Sequence, residues 1–66
     1  MPGYLIEYNR RSRSLNVTKF DSLLEATLKR LELDRTNDNP DLEIVAIASE
    51  SEDHLRQSHS RYFSAV

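Results

Sequence analysis

The chain has 66 residues, no cysteine and one glycine, with 38% apolar and 30% charged residues. That is one domain, 1–66, of marginal stability and without disulfides or thiolate metal sites; it fits a reducing compartment. The net charge of −2 is uneven: residues 1–30 hold six basic and three acidic residues (+3), residues 31–66 three basic and eight acidic (−5), so a globally basic nucleic-acid footprint is absent.

The opening "MPGYLIEYNRR" lacks the basic start and apolar core of a signal peptide. No apolar run approaches the roughly 20 residues of a membrane span. A cytoplasmic protein without membrane contact is the expectation.

"GYLIEYNRRSRSLNVTKF" reads as an antiparallel hairpin. Tyr4, Ile6 and Tyr8 alternate with Leu5, Glu7 and Asn9, and Leu15 and Val17 alternate with Asn16 and Thr18, at the period of a half-buried strand. The register closes if Tyr8 faces Leu15, Ile6 faces Val17 and Tyr4 faces the stem of Lys19. Glu7 then pairs with Asn16 and Leu5 with Thr18, leaving one face apolar and the other mixed. Arg10–Arg13 make the turn. It lacks the Asn-Gly or Gly-X pair of the tightest hairpins, so a longer loop is expected.

"DSLLEATLKRLEL" reads as a helix. Ser22 and Glu25 match a capping box, with Asp21 as a competing N-cap. Leu24, Leu28 and Leu31 recur at four and three residues and predict the buried stripe. Glu25 and Lys29 are spaced for an ion pair. "DRTNDNPD" follows as a loop, with Pro40 blocking further helix.

"LEIVAIAS" is the strongest strand signal. Leu42, Ile44, Ala46 and Ala48 share one face, Val45 and Ile47 the other; a strand apolar on both faces is usually covered on both. The last element starts at "SESED", with Ser49–Glu52 as a capping box and Ser51 as the alternative cap. Its stripe runs through Leu55, His59, Tyr62 or Phe63, and Val66.

The expectation is a small α+β domain of order ββαβα, a three-stranded sheet with two helices, strand order second–first–third. A right-handed crossover should place the third strand parallel to the second.

Chemistry-bearing constellations are few. His54 and His59 are five residues apart, about 140° around a helix, so they do not share a face as helical zinc ligands do. Ser58 and Ser60 flank His59, but adjacent helical side chains point apart, which disfavours a nucleophile–base pair. A single glycine excludes phosphate-cradling loops. The acids of "DRTNDNPDLE" lack the EF-hand glycine and ligand spacing, and a solvated loop would not raise a carboxyl pKa for acid catalysis. No enzyme activity, metal, cofactor or small-molecule substrate is expected.

Two surfaces remain. Val45 and Ile47, with Leu5 and Thr18 placed beside them, form a second sheet face. Either the terminal helix crosses to cover it, or it stays open as an interface. The function expected is a non-enzymatic protein-interaction module, a cytoplasmic regulator or accessory protein that binds a protein partner or forms a homodimer through Val45, Ile47 and Leu5. The alternative is a nucleic-acid-binding protein using Arg10, Arg11 and Arg13 at the hairpin turn, which could also meet an acidic partner.

Overall fold

A computed structural model of the chain describes residues 1–64. Strands β1 (Gly3–Asn9) and β2 (Ser14–Phe20) form the hairpin, helix α1 (Leu23–Thr36) crosses over, β3 (Leu42–Ala48) returns, and α2 (Glu52–Ser58) and α3 (Ser60–Ser64) close the described chain. The sheet order is β2-β1-β3, with β1 central and antiparallel to both neighbours. The fold class, element order and strand order agree with the sequence reading, and so does the hairpin register, including Tyr8 opposite Leu15, Ile6 opposite Val17 and Tyr4 opposite Lys19.

Local chemistry sets the turns and helix ends. The Asn9 Oδ1 accepts from the N–H groups of Arg11 and Ser12, both at 3.0 Å, which starts the four-residue hairpin loop. Arg13 ends it with a φ of 60°, in the left-handed region. Ser22, not Asp21, caps α1: its Oγ accepts from the Glu25 N–H at 3.3 Å, while the Glu25 carboxylate accepts from the Asp21 N–H at 3.2 Å. That bond draws Glu25 towards the cap, and the ion pairs found within α1 are Lys29–Glu32 at 3.6 Å and Arg30–Asp34 at 3.5 Å rather than Glu25–Lys29. Ser51 caps α2 instead of Ser49. The Ser49 side chain, buried, donates to the Ser51 carbonyl at 3.0 Å.

The terminal helix is broken at His59, which leaves helical geometry at φ −125°, ψ 45°. Both pieces lie on the sheet face of Tyr4, Ile6 and Tyr8. Leu55 and Tyr62 are buried there with Tyr4 and Ile6, and Leu15, Val17, Val45, Ile47 and Phe63 pack around them. Tyr62 meets Tyr8 edge-on, with centroids 5.9 Å apart, and the Arg56 guanidinium lies 4.6 Å from the Phe63 ring centroid. The expected stripe residue Val66 lies outside the described residues.

Helix α1 covers the opposite face, over β3 and β1, and touches β2 lightly. Leu5 and Ile44 are buried beneath it, and Ala26 is its own buried residue. The contact is very close at one end. A Cβ on Gly3 would come within 2.5 Å of the Ser22 carbonyl oxygen and 2.7 Å of the Leu23 Cα. Small residues fit such an approach at this end, and the face of Ser22 and Ala26, continued farther from the contact by Lys29 and Leu33, is the one turned inward.

Candidate functional site: an exposed leucine stripe on α1

The inward choice of Ala26 fixes what faces out. Leu24, Leu28 and Leu31 lie about 180° around the helix from Ser22, Ala26, Lys29 and Leu33 at 100° per residue. They are 67%, 57% and 56% exposed, and Leu23 is 41% exposed. The leucine stripe predicted as core is therefore the outer face of α1, because the backbone contact at Gly3 leaves room only for small side chains at the N-terminal end of the inner one. Leu33, half-buried, is the α1 leucine that faces the sheet.

The stripe has an acidic rim. By helical position Glu25 and Glu32 flank it on one side, Thr27 and Asp34 on the other, and Arg35 continues it towards the C-terminal end. Lys29 and Arg30 lie farther round towards the sheet, where they pair with Glu32 and Asp34. The acid groups of those pairs remain about half or more exposed at the edge of the apolar strip, where such pairs are weak and screened by solvent. A linear apolar strip with charged borders is the form of a helix-pairing surface.

The residues expected to bind a partner are placed differently. In β1–β3 pairing Ile6 faces Val45, Tyr4 faces Ile47 and Leu5 faces Ala46. Val45 and Ile47 thus share a face with Tyr4 and Ile6, and Leu5 belongs to the other face with Ile44. Grouping Leu5 with Val45 and Ile47 is corrected by this register, in which even-numbered residues of β1 align with odd-numbered residues of β3. The terminal helices cross to the Val45 and Ile47 face, which is packed in the tyrosine cluster, while Leu5 is buried under α1.

The arginine turn is divided. The Arg10 N–H donates to the Asp41 carbonyl at 2.8 Å, and its guanidinium donates to the Pro40 carbonyl at 2.7 Å, strapping the hairpin to the α1–β3 loop. Arg11 and Arg13 are exposed. In the α1–β3 loop the Asn37 Oδ1 accepts from the Asn39 N–H, and the Asn39 Oδ1 from the Asp41 N–H, so those oxygens serve the backbone.

Ser58 and His59 are closer than a continuous helix would allow. The Ser58 Oγ lies 2.9 Å from the His59 Nδ1, because the chain leaves helical geometry at His59. Ser58 is exposed, and its hydroxyl also lies 3.3 Å from the Leu55 carbonyl, a competing acceptor. Among the described residues no group of three or more His, Cys, Asp or Glu is arranged to hold a metal ion, and no helix is long and apolar enough to cross a membrane.

No protein-family model, curated protein or solved structure matches the chain.

Proposed function

We propose that the protein is a non-enzymatic protein-interaction module whose contact surface is the outer face of α1. The observation behind this reading is the row Leu24, Leu28 and Leu31, each more than half exposed on a domain with few large apolar residues to spare. The acidic rim of Glu25, Glu32 and Asp34 selects the occupant: an amphipathic helix of a partner protein, with an apolar stripe bordered by lysine or arginine. Leucines would pack as knobs between the facing side chains, and the borders would set orientation.

A fluorescently labelled peptide helix with a leucine stripe and lysine borders tests this. The protein should bind it saturably, and binding should weaken as salt rises. The same peptide with glutamate borders should bind far less. The triple variant Leu24→Ser, Leu28→Ser, Leu31→Ser should lose binding while its far-ultraviolet circular dichroism and melting temperature stay close to those of the parent, since surface substitutions of this kind usually change stability by about 0.5 kcal/mol or less each. Equal binding by the triple variant, or indifference to the peptide's border charge, would refute the reading.

A nucleic-acid contact is the second reading, carried by the exposed Arg11 and Arg13 at the hairpin tip. It has less support, since Arg10 is engaged with Pro40.

A further inference from the structure

The two edges of the sheet are unlike. Edge strand β2 carries Ser14, Asn16, Thr18 and Lys19, polar and charged residues of the kind that keep an edge from pairing with another chain. Edge strand β3, "LEIVAIA", has one charged residue, Glu43, and no proline. Its only strand neighbour among the described residues is β1.

The hydrogen-bond phase tells which β3 groups face outward. The Arg10 N–H bonds the Asp41 carbonyl and the Ser49 N–H bonds the Pro2 carbonyl. Asp41 and Ser49 bracket β3, and in an antiparallel ladder the bonded residues alternate. Odd-numbered residues of β3 therefore bond to β1, and the N–H and C=O groups of Ile44, Ala46 and Ala48 point away from β1, to the outer edge, with the carbonyl of Leu42. The Leu42 N–H is already given to the Asn39 carbonyl at 3.2 Å.

We infer that β3 is a self-pairing edge, and that a second copy of this chain docks on it antiparallel about a two-fold axis at Val45. In that register Ile44 of one copy exchanges both backbone bonds with Ala46 of the other, and Ala48 donates to the carbonyl of Leu42. Val45 meets Val45 as a non-hydrogen-bonded pair, where side chains approach most closely and β-branched residues pack well. Ile44 lies beside Ala46 and Leu42 beside Ala48, large against small. Glu43 lies opposite Ile47, so no like charges meet. The product is one sheet of order β2-β1-β3-β3-β1-β2. The axis is perpendicular to the sheet, so both α1 helices sit on one side and both leucine stripes face the same way. The pairing uses a different surface from the leucine stripe and stands or falls separately from it.

The mass in solution across a concentration series tests the pairing. Light scattering should show the mass rising from that of one 7.7 kDa chain to twice that value. Ala46→Pro removes an outward N–H and leaves the β1 ladder intact, so it should give a folded monomer. Ala48→Lys, on an exposed residue, should do the same and covers the outcome that the proline variant fails to fold. Since the chain has no cysteine, Val45→Cys should form a covalent dimer on mild oxidation, whereas Ile47→Cys, facing Glu43, should not. A mass of one chain throughout overturns the inference. A dimer that survives Ala48→Lys but dissolves when the three α1 leucines are changed also overturns it, and assigns the dimer to the stripe instead.

Discussion

The two faces of the sheet are covered by opposite means. On one, two tyrosines of β1 and β-branched residues of all three strands receive Leu55 and Tyr62 from short terminal helices. On the other, a fourteen-residue helix lies so close that alanine is its buried residue, and four of its five leucines are exposed. The shorter helices therefore bring the larger buried side chains. Helix length and leucine content are poor guides to which face holds a small domain together; how near the backbone comes to the sheet decides which side chains can enter.

Substitutions should expose this contrast, beginning with the aromatic face. Leu55 is completely buried, and Leu55→Ala removes its side chain from the centre of that cluster. A loss of about 2–5 kcal/mol is expected, enough to unfold most of a marginal domain, read as lost cooperativity in a thermal melt. A normal melt would show that the terminal helices do not stabilise the fold. Next in size is Gly3→Ala. The added methyl meets backbone, which cannot rotate aside, so α1 must lift at its N-terminal end. Overpacking of this kind costs about 1–3 kcal/mol, and hydrogen exchange should quicken in α1 before it does in the hairpin. Unchanged exchange in α1 would contradict the close approach. Smallest is Arg13→Asn in the hairpin turn, on neither face. Asparagine accepts the left-handed conformation better than arginine, and stability should rise by on the order of 0.5 kcal/mol. A fall in melting temperature would mean that the Arg13 side chain contributes more than its backbone geometry costs.

Much of the fold was legible because its signals are local. Alternation of Tyr4, Ile6 and Tyr8 against Leu15 and Val17 defines a hairpin register within eighteen residues. Ser22 and Glu25 mark a helix start because capping acts within one turn. The orientation of α1 was not legible. Its sequence has two defensible inner faces, a leucine stripe and a face of Ser22, Ala26, Lys29 and Leu33, and periodicity favours the first. The choice depends on Gly3, twenty residues upstream of Leu23 and on another element. The same distance between cause and effect explains the misplacement of Leu5. Each strand's own alternation was read correctly, but the relative phase of β1 and β3 is set by pairing across the crossover, and a shift of one residue exchanges the faces. The Arg10 bond to Pro40 joins residues thirty apart, and neither local pattern announces it.

The strand order also has a consequence for how the chain assembles. The central strand is the first of the three to be synthesised. One of its sides pairs locally, Tyr8 with Leu15, and hairpins of this size close in about 1–10 μs. Its other side waits for residues as distant as Ala48, the partner of Gly3. Loop closure over that span must come before the second ladder forms, so the slow step of folding is expected to be the insertion of β3 beside a hairpin already made. Until then β1 carries an unsatisfied edge of its own. A nascent or transiently opened chain would show two adhesive strands, where the finished fold shows one.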